Sequence, residues 1–280
     1  MFFDIVKHLM SIKGTLYICP TPIGNLEDIT LRVLRVLKEV DFIACEDTRV
    51  TQKLLNRYEI NTKLISYHKF SEKEKSNYIV QLLNEGKSIA LVSDAGTPLI
   101  SDPGIELLKH DINVIPLPGP SSVITALSAT PRNGTDFVFI GFLPKTKKAK
   151  EDFLRKYSDI DIVAFESPNR LVKSLQEILE VLGNRKVTIA RELTKIYEEI
   201  KTDLIDNLIA YYSQNPPKGE IVLIIHGMEE KKPEQKEIIE KALLLKKEGY
   251  SSKDISKIIS LLYQYPKKEV YNIVLNLIGV

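Results

Sequence analysis

Ile89-Ala90-Leu91-Val92-Ser93-Asp94-Ala95-Gly96-Thr97-Pro98-Leu99-Ile100-Ser101-Asp102-Pro103-Gly104 says more about this chain than any other segment. Ile89 to Val92 is a short apolar run with the length and composition of a buried strand. It ends abruptly in two glycines, two prolines and three small hydroxylated residues. Prolines remove donors and fix the chain direction, while glycines let a ligand approach the backbone closely. A helix is predicted to begin near Gly104, so the intervening loop is stiff, polar and set at a sheet's carboxyl edge. Open α/β sheets bind ligands at that edge. An ordinary tight connection is the competing reading of the same composition.

On either side of this segment, strand-like runs and helical stretches alternate. Strands are predicted at Thr15–Cys19, Asp41–Cys45, Lys63–Tyr67, Ser88–Val92 and Asn113–Leu117, and helices at Ile29–Val40, Thr48–Tyr58, Ser71–Glu85 and Gly104–His110. Asp28 can cap the first helix, and Ser71 with Glu74 forms a capping box on the third. This alternation points to a largely parallel, helix-covered sheet. A second series follows Asp136, with strands at Phe137–Phe142, Ile160–Phe165, Val187–Arg191 and Glu220–Ile225. Asn169–Leu182 reads as a helix with Leu171, Leu175, Ile178, Leu179 and Leu182 on one face. Tyr197–Thr202 looks extended, so this half has room for antiparallel pairing.

The turn-rich cluster Thr130-Pro131-Arg132-Asn133-Gly134 marks a linker, and the charged run Glu229 to Glu234 marks another. Beyond it, strand signals cease and three short helices are predicted near Gln235–Lys247, Ser251–Tyr263 and Lys267–Leu277. Gly249 sits at a helix stop, and Ser251 with Asp254 resembles a capping box. The expected architecture is α/β, with domains at 14–130 and 131–227 and a helix-turn-helix-like module at 228–280.

Composition narrows the function. At 280 residues, with 44% hydrophobic and 27% charged residues, the chain is globular and long enough for more than one core. No apolar run is long enough to span a bilayer, and the start lacks a signal-peptide layout, which predicts a cytoplasmic protein with no membrane partner. Cys19 and Cys45 fall inside predicted strands and read as small buried apolar residues. His8, His68, His110 and His226 are scattered without metal-ligand spacing, so no metal is expected. A net charge of +2 gives no long-range attraction, leaving nucleic-acid binding to local basic patches.

Four predicted strands end alike. The first runs into Pro20-Thr21-Pro22-Ile23-Gly24-Asn25, the second into Glu46-Asp47-Thr48-Arg49, the fourth into Asp94-Ala95-Gly96-Thr97-Pro98 and the fifth into Pro118-Gly119-Pro120-Ser121-Ser122. A GxGxxG fingerprint is absent, as are a triad and a phosphate loop. The pattern suits a small molecule gripped by backbone groups, with catalysis coming mainly from positioning two substrates. Glu46, Asp47 and Arg49 can activate or orient a hydroxyl; equally, an Asp47–Arg49 pair can pin the turn and cap the helix at Thr48. Glu192 and Lys195 can face a substrate or form a solvated ion pair, and Asp102 can bind substrate or cap the helix near Gly104. Lys145, Lys147, Lys148 and Lys150, with Arg155 and Lys156, form a candidate RNA-phosphate patch, against the alternative of a solvated helix face.

These blocks carry a family resemblance. Tyr17 to Thr30, Glu46 to Arg49, Ser93 to Gly104, Pro118 to Ser121, Gly141-Phe142-Leu143-Pro144 and Ala190 to Lys195 resemble the signatures of the ribosomal RNA small subunit methyltransferase I family, within the tetrapyrrole methylase superfamily. The likeness covers about Gly14 to Gly227. It implies a two-domain tetrapyrrole-methylase fold with S-adenosylmethionine in the cleft between the domains. It also implies a homodimer, and 2′-O-methylation of a cytidine ribose in the decoding region of 16S ribosomal RNA in the small subunit. Carried over by position, the cofactor contacts would be Ile23, Asp94, Gly96, Thr97, Ile100, Ser121 and Ser122, with Phe165, Arg191 and Glu220 from the second half. The hinge departs from the family's Ser-Gly-Leu-Pro-like pattern, reading Ala129 to Gly134. A precorrin-type tetrapyrrole methyltransferase and a non-catalytic nucleic-acid-binding protein are the alternatives.

Overall fold

The computed structural model describes residues 13–68, 72–102, 104–132, 134–227, 235–263 and 266–278. The chain divides into two compact units, Met1–Met228 and Glu229–Val280.

In the first unit, β1 (Thr15–Ile18), β2 (Phe42–Cys45), β3 (Lys63–Ser66), β4 (Ile89–Val92) and β5 (Asn113–Pro116) form one sheet in the order β3-β2-β4-β1-β5. Every pairing in it is parallel, with Leu16 opposite both Ile89 and Val114. All four residues of β4 are buried, as expected of a central strand covered on both faces. On one face, α1 (Leu31–Glu39) and α2 (Thr48–Arg57) lay Val33, Leu37 and Leu55 over Cys19, Ile43 and Cys45. On the other, α3 (Glu72–Asn84) packs Ile79 and Leu83 against Leu16, Ile65 and Leu91. Both cysteines are free and buried, and burial pushes the Cys19 thiol up to about 12.

The second sheet has the order β6-β7-β10-β8-β9, from β6 (Phe137–Phe142), β7 (Asp161–Glu166), β8 (Lys186–Arg191), β9 (Glu199–Leu204) and β10 (Ile221–Ile225). Only β6 and β7 run parallel; β10 is antiparallel to both β7 and β8, and β9 is antiparallel to β8. Its outer face is covered by α5 (Lys147–Lys156), α6 (Leu171–Leu182) and α7 (Ile205–Gln214), through Leu154, Leu175, Ile178 and Leu208. Its inner face receives α4 (Ser122–Ser128), whose Val123, Ala126 and Leu127 pack on Val163, Ala190, Val222 and Ile224. A helix that directly follows the first sheet is thereby built into the core of the second.

Several local expectations need correction. Gly104–His110 is not an α-helix: Gly104 has φ 124°, and only a single 3-10 turn forms at Leu107–Lys109. Asp102 therefore caps no helix there. Thr30, not Asp28, caps α1, because Leu26–Asp28 forms its own 3-10 turn capped by Asn25. Three helices, α4, α5 and α7, carried no sequence expectation. The Ser71–Glu74 capping box lies outside the described residues.

The second unit has its own small core. Ile238 and Ala242 from α8 (Gln235–Lys247), Ile255 and Ile259 from α9 (Ser252–Tyr263), and Val270 and Val274 from α10 (Lys267–Ile278) pack together. Gly249, at φ 88°, follows α8, and Ser251 Oγ accepts from Asp254 N at 3.2 Å, so the predicted stop and cap both form.

Candidate active site

The loops after β1, β4 and β5 meet the inner face of the second sheet around a cavity of about 410 Å³. The loop after β4 is held firmly. Thr21 and Gly96 pair backbone to backbone at 2.9 and 3.0 Å, and Thr21 Oγ1 donates to Ser93 O at 2.9 Å. Thr97 Oγ1 donates to Pro120 O at 3.0 Å, fastening the loops after β4 and β5 together. Gly96 has φ 80°, while Leu99 (φ 70°) and Ser101 (φ 75°) adopt the same left-handed region without being glycine. Such strain costs roughly 1–3 kcal/mol per residue and persists only where the surroundings enforce it.

Ile23, Asp94, Gly96, Thr97, Ile100, Ser121 and Ser122 all line the cavity, with Phe165 and Glu220 on the facing wall. Arg191 does not line it. Its Nε lies 2.9 Å from Glu199 Oε2, because antiparallel pairing sets β9 beside it. Its neighbour Ala190 lines the wall instead.

Glu46, Asp47 and Arg49 are also outside the lining. Asp47 caps α2, accepting from Arg49 N at 2.8 Å, and its carboxylate takes both Nε (3.0 Å) and an Nη (2.6 Å) of Arg49. These bonds hold the Asp47 carboxyl down at about 2. The lysine patch divides. Lys145, Lys147 and Lys148 are exposed, with Lys147 bridged to Glu180 at 2.6 Å. Lys150 is corrected: it is buried, 2.6 Å from Glu177 Oε2 and 3.1 Å from Ser174 Oγ on α6, and cannot meet a phosphate.

Sequence reasoning missed the wall at the end of β7. Glu166 is fully buried, and its carboxylate accepts from Ser167 N and Ser174 Oγ at 2.6 Å each and from Arg170 at 2.5 Å. The Glu166–Arg170 spacing of four residues after a strand was the available signal. Phe142, set by a bulge at Gly141 (φ 68°), meets Phe165 edge-on at 5.5 Å between ring centres and adds an apolar wall. Asp94 and Asp102 also line the cavity. Burial raises both carboxyls, and for Asp102, with Glu46 and Asp94 as like-charged neighbours, the rise reaches about 6.

Residues 15–209, which run through both sheets and most of the cavity's walls, are matched by a family model described as Tetrapyrrole (Corrin/Porphyrin) Methylases. The chain belongs to this family. Within it, the similar curated relatives carry a more particular name, Ribosomal RNA small subunit methyltransferase I. The protein of that name from Halalkalibacterium halodurans is 44% identical over 93% of this chain and 94% of its own length. The one from Vibrio cholerae is 45% identical over 91% and 92%. Among solved structures, the uroporphyrin-III C-methyl transferase of Thermus thermophilus, complexed with S-adenyl homocysteine, matches with a TM-score of 0.54. At 18% identity over 75% of this chain and 92% of that one, the match is one of fold.

Proposed function

We propose that this chain transfers a methyl group from S-adenosylmethionine to the ribose 2′-hydroxyl of a cytidine in the decoding region of 16S ribosomal RNA, within the small subunit. The observation that carries the reading is the cavity. Of the positions assigned to the cofactor from sequence, all but Arg191 line it. Its volume of about 410 Å³ falls in the range of roughly 300–1,000 Å³ typical of sites that enclose such molecules. Its walls also suit the donor's mixed chemistry. Ile23, Ile100, Phe142 and Phe165 offer apolar surface, the loop at Gly96 offers backbone without a side chain, and Asp94 offers a carboxyl to a cation.

When bound, S-adenosylmethionine supplies a methyl group already activated on a sulfonium. The work left to the protein is positioning and water exclusion. The interlocked loops at Thr21–Gly96 and Thr97–Pro120 hold one wall fixed. The Glu166–Arg170 pair, braced by Ser174 and Lys150, stiffens the other. Lys145, Lys147 and Lys148 supply exposed positive charge for RNA phosphates. The two α/β halves, 14–130 and 131–227, act as the lobes of the site, and the helical module from 228 onward helps to hold the ribosomal substrate. The enzyme works in the cytoplasm as a homodimer; among the described residues no helix is long and apolar enough to cross a membrane.

The test is methyl incorporation into small subunits from cells lacking this protein, with the modified nucleotide mapped. A single 2′-O-methylcytidine in the decoding region is expected. Methylation of a tetrapyrrole precursor instead, with none of the RNA, would replace the substrate assignment.

A further inference from the structure

Four carboxyls line the cavity among the described residues: Asp94, Asp102, Glu166 and Glu220. Three are committed. Glu166 is neutralised by Arg170 and saturated by Ser167 N and Ser174 Oγ. Glu220 is bridged to Lys195 at 2.9 Å, and Lys195 is shared with Glu192. Asp94 Oδ1 accepts the backbone N–H of Asp47 at 3.2 Å, which ties it to the start of α2. Asp102 sits among neighbours of a different kind: the Ser93 hydroxyl and the like-charged Glu46 and Asp94. The other charged groups at the cavity belong to the ion pairs Glu166–Arg170 and Glu220–Lys195.

We propose that Asp102 is the general base of the transfer, the carboxylate that accepts the proton of the attacking hydroxyl. The inference rests on the methyltransferase reading of the cavity and adds a residue to it. As the ribose oxygen bonds to the methyl carbon, the carbon–sulfur bond of the donor breaks and its electron pair stays on sulfur. The hydroxyl proton passes to an Asp102 oxygen. Placement supports this role. The residue follows Leu99 and Ser101, both held in left-handed backbone, so a constrained loop delivers Asp102 to the wall. Desolvation and two carboxylate neighbours then lift its affinity for a proton toward neutral pH, where a base works best. Glu46 takes part through its charge on Asp102, without lining the cavity.

The experiment compares the full chain with Asp102→Asn and Glu46→Gln. Calorimetry reads S-adenosylmethionine binding, and methyl incorporation into small subunits reads kcat and KM against pH. Carbon-13 NMR of aspartate carboxyls reads the proton affinity of the donor-free protein directly. Asp102→Asn should bind the donor as the parent does and lose about 100-fold or more in kcat. It should also lose the rise of kcat/KM with pH around 6. The parent spectrum should hold one carboxyl titrating near 6 that is missing from Asp102→Asn and shifted to lower pH in Glu46→Gln. An Asp102→Asn protein within threefold of the parent, or one that keeps the pH-dependent rise, overturns the assignment while the methyltransferase reading stands. A parent chain that takes up no donor and methylates nothing overturns both.

Discussion

The backbone N–H of Asn25 donates to the Oγ1 of Thr194 at 3.0 Å, tying the loop after β1 to the loop after β8. The contact is close because Gly24 lies against the same loop. A Cβ built there would stand 2.5 Å from Lys195 Cγ, 2.7 Å from Thr194 Oγ1 and 2.8 Å from Leu193 O. Thr194 and Glu192 both hold positive φ to make the fit. Gly24→Ala should therefore destabilise the protein by about 1–3 kcal/mol through overpacking. Urea unfolding measures it; a change within a few tenths of a kcal/mol would show that the loops do not bear on one another.

Breaking the Lys150 pair should cost far more than removing its exposed neighbours. Lys150→Ala leaves Glu177 and Ser174 without their shared donor inside α5 and α6. Its loss should destabilise by about 3–5 kcal/mol, against less than about 0.5 for Lys148→Ala. Thermal unfolding of the two variants decides between a structural lysine and a surface one.

RNA affinity should show the reverse ranking. Neutralising Lys145, Lys147 and Lys148 together should weaken RNA binding and flatten its dependence on salt by about 0.7 per lost single-strand phosphate contact. Donor affinity should not change. An unaltered salt slope, measured by fluorescence anisotropy, would remove the patch from the RNA-binding surface.

Asp102 also makes a prediction about stability. Its folded carboxyl titrates at about 6 against an ordinary value of 3.8, so the folded state binds the proton more readily than the unfolded one. Its contribution is full below 3.8 and is lost as pH rises through about 6. Asp102→Asn, which cannot ionise, should raise Tm relative to the parent at pH 8 and match it near pH 3.5. Equal Tm values at both pH values would mean that Asp102 carries no such strain.

What could be read in the chain was whatever depends on local pattern. The run Ile89 to Val92 gave its strand because burial on both faces demands continuous apolar residues. The stripe at Leu171, Leu175 and Ile178 gave α6 for the matching helical reason. The strand-end loops pointed to the cavity because turn chemistry is local too. Contacts between distant segments were not legible. Nothing in the spacing of Lys150 says that Ser174 and Glu177 wait on the next helix. Arg191 ends its strand as a site residue would, yet the antiparallel partner β9 supplies Glu199 and draws it away. The predicted helix at Gly104 failed on backbone geometry, since φ 124° belongs to a loop. α4 was hidden by its entry, Pro118 to Ser121, which reads as a turn, and by its length of 7 residues.

Titration calorimetry of the purified chain with S-adenosylmethionine, beside Gly96→Val, asks whether the cavity holds the methyl donor. Gly96 lines the cavity at φ 80°, a conformation that a β-branched side chain strongly resists, so valine both strains the loop and fills the approach to its backbone. One donor should bind per parent chain, and the variant should lose at least about tenfold in affinity. A folded parent chain that takes up no donor, or a variant that binds as tightly, would contradict a donor site in the cavity.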